Sequence, residues 1–120
     1  AARPEVANAN SANAFVSFHF DSSDVNNVAS GYTCYFYHPG DSKQLASSVN
    51  QQMTNLPLKS RGVEFGNFLV IRDNSVPAIL IEGGYINTTK DFKQIQNPTY
   101  QQKLASDIVR GLANYFKNHS

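Results

Sequence analysis

FLVIRDNSVPAILIE, Phe68 to Glu82, holds two almost continuous apolar runs with a polar turn between them. FLVIR (68–72) and PAILIE (77–82) each have the length of a strand. A strand without polar alternation is one covered on both faces. That arrangement requires helices layered against a sheet, so these runs predict an α/β fold and supply its third and fourth strands.

Upstream, AFVSFHF (14–20) alternates, with Phe15, Ser17 and His19 on one face and Val16, Phe18 and Phe20 on the other. It reads as the first strand, preceded by the end of a helix over PEVANANSANAF (4–15). DSSDVNNVASG (21–31) is a polar loop, and the aromatic YTCYFYH (32–38) is the second strand, closed by Pro39-Gly40. DSKQLASSVNQQMTNL (41–56) has helical spacing. Asp41 or Ser42 is its candidate cap, and Leu45, Val49, Met53 and Leu56 are its buried stripe. GGYINTTKDFKQIQN (83–97) reads as a loop with one helical turn. Asn97 as N-cap and Pro98 at the first helical position begin a last helix to about Lys117, burying Leu104, Ile108, Leu112, Tyr115 and Phe116. The expected architecture is a mixed or mostly parallel sheet flanked by helices. Four strands are few for such a sheet, so the chain is expected to begin inside its domain.

With 120 residues the chain has room for one small domain, residues 1–120, and 41% hydrophobic content supports a packed core. A net charge of +1 gives no case for nucleic acid or an anionic membrane surface. No apolar run approaches the roughly 20 residues needed to span a bilayer, and AARPEVANAN lacks the pattern of a signal peptide. Cys34 is alone, so no disulfide framework exists, and it reads as a buried small hydrophobe.

Ligands of open α/β sheets collect at the carboxyl ends of strands. His19 stands there on the first strand and Glu82 on the fourth, followed by Gly83-Gly84, which lets the backbone turn or approach a ligand. A carboxylate closing an apolar run is costly to bury unpaired, so Glu82 suits a general base or a metal-site partner. His19 reads either as a structural histidine or as a metal ligand. His38, before Pro-Gly, reads as a turn residue, with a second ligand as the other reading, and His119 lies in a tail expected to fray. Tyr32, Tyr35 and Tyr37 read as a sugar-stacking surface or as ordinary sheet packing.

Several blocks together carry a resemblance: RPEVANANSANAFVSFHFDSS, GYTCYFY, SKQLASSVNQQM, SRGVEFGNFLVIRDNSVPAILIEGGYINTTKD and QQKLASDIVRGLANYFK. In order and content they resemble zinc-dependent N-acetylmuramoyl-L-alanine amidases of the Amidase_3 type, over nearly the whole chain. The resemblance implies a phosphorylase/hydrolase-like amidase fold, N-terminally incomplete. It implies that His19 is a Zn2+ ligand and Glu82 the catalytic glutamate. It also implies a secreted bacterial hydrolase, an autolysin, that acts on peptidoglycan in the cell wall or outside the cell. Such an enzyme cuts the amide between N-acetylmuramic acid and L-alanine with water that zinc activates.

The family's other two zinc ligands, a histidine and a glutamate, lie upstream of the blocks matched here. This chain alone is therefore expected to be inactive and to hold zinc weakly. Its expected partners are peptidoglycan and, at an exposed sheet edge, the preceding segment or a second chain. The rival expectation is a degenerate amidase-like module that binds peptidoglycan or a protein without catalysis. Phe20 and Asp21 after the histidine, Tyr85 and the INTT segment depart from the family pattern.

Overall fold

A computed structural model describes residues 13–119. Its elements run β1 (Phe15–Asp21), β2 (Tyr32–Phe36), α1 (Asp41–Gln52), β3 (Ser60–Phe65), α2 (Leu69–Arg72), β4 (Ala78–Tyr85), α3 (Thr89–Ile95) and α4 (Pro98–Asn118). The helix end expected over residues 4–15 lies outside the described residues up to residue 12; its last three residues are not helical, and Phe15 opens β1. The strands form one sheet in the order β1-β4-β2-β3. β1 runs parallel to β4 and β2 parallel to β3, while β2 and β4 are antiparallel. The fold is α/β with a mixed sheet flanked by helices, as the alternation of elements in the sequence predicts.

β4 decides the layering. All eight of its residues are buried. Ile79 and Ile81 face α1 and α4, joining Cys34, Leu45, Val49 and Leu104 in the main core. Ala78 and Leu80 point the other way, into a smaller cluster with Ile71, Tyr35 and Phe68. Helices α1 and α4 meet at Gly111, where an added Cβ would come within 2.4 Å of the Val49 Cα. Only glycine permits that approach.

Four elements differ from the sequence reading. FLVIR is not a strand: its core is the single turn α2, which lies over the second face of the sheet. A short buried apolar run has the same composition in either state, and tertiary packing decides between them. The missing strand is SRGVEF (60–65), which is half polar because β3 borders only β2 among the described residues. Beyond Glu82 the chain does not leave the sheet, since β4 continues through Gly83 and Gly84 to Tyr85. Gly83 serves close packing, because a Cβ there would lie 2.8 Å from the rings of both Phe18 and Phe20. The following segment forms a seven-residue helix, α3, rather than one turn.

Helix ends differ in detail as well. α1 stops at Gln52, so Met53 and Leu56 lie past it, and its N-cap is Gly40 without a side-chain cap. Ser42 Oγ instead accepts the Ala78 N–H at 3.0 Å, tying α1 to the start of β4. Asn97 caps α4 by accepting the Thr99 N–H, with Pro98 at the first helical position, as expected. Phe116 is exposed rather than buried, because Tyr115 takes the inward position. His119 does not fray. Its ring stacks on Tyr115 at 4.1 Å, and Nδ1 bonds the Tyr115 carbonyl.

Candidate active site

His19 and Glu82 come from strands 63 positions apart in sequence yet stand directly opposite one another in the β1–β4 register. Paired residues on neighbouring strands project to the same face. Both line one open cleft of about 290 Å³, together with Phe20, Asp21, Phe68, Leu69, Val70 and Leu80. Thr33 on β2 stands opposite Glu82 on its other side. A row of His19, Glu82 and Thr33 therefore crosses three strands.

The electrostatics single out Glu82. Its residue is only 3% exposed, and Oε1 has no hydrogen-bond partner among the described residues. Burial, then the neighbouring Asp21 carboxylate, push its carboxyl up to about 7, with Arg61 opposing. Thr33 Oγ1 is the other buried side-chain oxygen left unpaired among these residues. Two orphaned polar atoms on adjacent strands mark a place that calls for water or a polar ligand. His19 is exposed, and its Nε2 bonds the Ser17 hydroxyl at 2.9 Å, which orients the ring.

Two sheet irregularities flank the row. One extra residue on β4 separates the His19–Glu82 pair from the Asp21–Tyr85 pair, and Gly84 takes φ 148 there. One extra residue on β3 lies opposite Thr33, with Gly62 at φ 88. Such bulges redirect side chains and gather beside functional sites. The loops after β1 and β4 are clamped together next to the cleft. Asn87 accepts the Ser23 N–H through Oδ1 at 3.0 Å and donates to the Ser23 carbonyl through Nδ2 at 2.7 Å. The fully buried Asp91 accepts from Ser30 Oγ and from the Gly31 and Tyr85 N–H groups.

The other candidates fall elsewhere. His38 Nε2 bonds the Arg72 carbonyl at 2.6 Å and does not line the cleft, so it serves the turn. Cys34 is buried with Sγ 3.7 Å from the Met53 sulfur, and burial pushes its thiol up to about 12, consistent with a packed hydrophobe. Tyr32 donates to the Met53 carbonyl, and Tyr35 packs edge-on to Phe68, so both are sheet packing. Among the described residues no group of three His, Cys, Asp or Glu side chains is placed to hold a metal. His19 fits as one donor of such a site.

Asp21 shares the face of His19 by simple alternation, so its place beside Glu82 was readable from the sequence. Arg61 and Thr33 were not, because their positions depend on β3 and on strand order.

The N-acetylmuramoyl-L-alanine amidase family model matches residues 1–114. The chain is 37% identical over 114 residues to the uncharacterized protein YqiI of Bacillus subtilis, covering 92% of this chain and 54% of that protein. It is 36% identical over 104 residues to the probable cell wall amidase LytH of Staphylococcus aureus, covering 86% of this chain and 35% of that protein. Among solved structures, an N-acetylmuramoyl-L-alanine amidase from Clostridium difficile 630 superimposes with a TM-score of 0.93 at 33% identity. That match covers 99% of this chain and 66% of the solved one. The chain thus spans about half or less of the length of these curated relatives.

Proposed function

Because the chain belongs to the N-acetylmuramoyl-L-alanine amidase family, we propose that it carries the general base and one metal ligand of a peptidoglycan hydrolase. The bond cut is the amide between N-acetylmuramic acid and L-alanine, in the bacterial cell wall or outside the cell. The observation that supports this reading most is Glu82, buried with one oxygen unpaired and standing beside His19 in an open cleft.

In its ionised form Glu82 accepts a proton from the attacking water as the oxygen–carbon bond forms. It returns that proton to the amide nitrogen as the carbon–nitrogen bond breaks. Burial, then Asp21, raise the carboxyl in the chain alone, and a zinc ion beside it would favour the ionised form that accepts the proton. His19 would be one zinc donor, held in orientation by Ser17. Zinc, when bound, supplies a Lewis acid that polarises the carbonyl and acidifies water. A catalytic zinc site takes three protein ligands, so the remaining donors must come from outside the described residues.

Two variants of the protein that carries this chain test the reading. Glu82→Gln should lower amide cleavage of purified peptidoglycan by about two to four orders of magnitude with zinc content unchanged. His19→Ala should lower zinc content and cleavage together. Full activity in Glu82→Gln would sink the assignment of the base. The second reading is a non-catalytic module that binds peptidoglycan or a protein partner. It requires that the unaltered protein bind peptidoglycan yet release no new amino termini.

A further inference from the structure

The row across the sheet has a fourth member. Ser60 stands opposite Tyr32 and Val63 opposite Cys34, so both Arg61 and Gly62 lie opposite Thr33. The bulge carries the Arg61 guanidinium over the Tyr85 ring, 5.4 Å from its centroid. Nη1 donates to the Ser30 carbonyl at 3.3 Å. Both partners are uncharged. The ion pairs among the described residues join Arg72 to Asp73 and Lys103 and Arg110 to Asp107, and none includes Arg61. Its charge is nevertheless felt by Glu82, Tyr35 and Tyr85. A guanidinium has five N–H donors in a planar fork that matches a carboxylate. Here the fork is braced on the ring of Tyr85, three residues beyond Glu82 on β4, with one donor used among the described residues.

We propose that Arg61 is a specificity-determining residue that binds a carboxylate on the peptide arm of the substrate. The proposal rests on the amidase reading of the same cleft. The chemistry of the substrate selects the arm. The acid group of N-acetylmuramic acid is consumed in the amide being cut, whereas the peptide arm ends in a free carboxylate. Distance selects the position. β3 lies two strands from β4, roughly 10 Å across the sheet. An extended peptide advances about 3.5 Å per residue. Allowing for the reach of the arginine side chain, the carboxylate sits about two to three residues beyond the scissile amide.

Isothermal titration of two soluble ligands tests this. One is an N-acetylmuramyl-L-alanyl tripeptide with free carboxylates, the other the same compound with every carboxyl converted to carboxamide. The unaltered protein should bind the carboxylate form about tenfold or more tightly. Arg61→Gln should bring that ratio close to one, and Arg61→Lys should leave it in between, because a point charge replaces the fork. Any effect of Arg61 on Glu82 acts on both ligands and cancels in the ratio. A ratio near one in the unaltered protein, or one that persists in Arg61→Gln, overturns the role of Arg61 and leaves the amidase reading standing. If neither ligand binds the unaltered protein, the amidase reading itself fails and this role falls with it.

Discussion

Glu82 shows how one residue couples burial to stability. Its folded carboxyl lies near 7 against an ordinary value of 4.5. The folded chain therefore keeps a proton that the unfolded chain releases between those values. This contribution is fully present below pH 4.5 and is lost as pH rises through 7. The loss amounts to about 3 kcal/mol. Glu82→Gln resembles the protonated side chain at every pH. In the presence of a chelator, its melting temperature should exceed that of the unaltered protein at pH 8. The difference should vanish below pH 4.5. An equal difference at both pH values would show that the environment of Glu82 does not hold the proton. The same residue marks the limit of sequence reading. An acidic residue at the end of PAILI stands out in the sequence and Asp21 shares the face of His19 by alternation, but the depth of burial that chiefly raises the carboxyl, and the opposing Arg61 charge, require knowledge of strand order.

At the scale of elements, what could be read followed the depth of burial. PAILIE keeps its apolar pattern because β4 is central and buried on both sides. α4 was readable because its cap and its stripe agree. SRGVEF was missed because an edge strand with a bulge has no strict alternation, and FLVIR was misassigned because four apolar residues fit a helical turn as well as a strand. The contact between α1 and α4 depends on Gly111, where the atom nearest the missing Cβ is the backbone Cα of Val49. Backbone cannot rotate aside as a side chain can. Gly111→Ala should therefore push the helices apart and cost about 1–3 kcal/mol, despite the better helix propensity of alanine. Urea denaturation measures this, and an unchanged midpoint would mean that the helices already have slack.

For the whole molecule, the order β1-β4-β2-β3 means that β1 has β4 as its only partner among the described residues. The contacts that complete the cleft are equally distant in sequence: His19 with Glu82, Ser23 with Asn87, and Ser30 with Asp91. A chain that ends at Ser75 should accordingly leave the β1 amides unprotected in hydrogen exchange. A chain extended to His119 should protect them together with those of β4. Protection of β1 in the shorter chain would contradict the topology.

That order also sets a timetable. During synthesis β1 emerges about 60 residues ahead of β4, its only partner among the described residues. At ordinary translation rates this is a delay of several seconds. For that interval Phe15, Val16, Phe18 and Phe20 form a β-prone segment without the β4 neighbour it has in the fold. Pairing of His19 with Glu82, and with it the row that crosses this cleft, therefore waits on the arrival of β4.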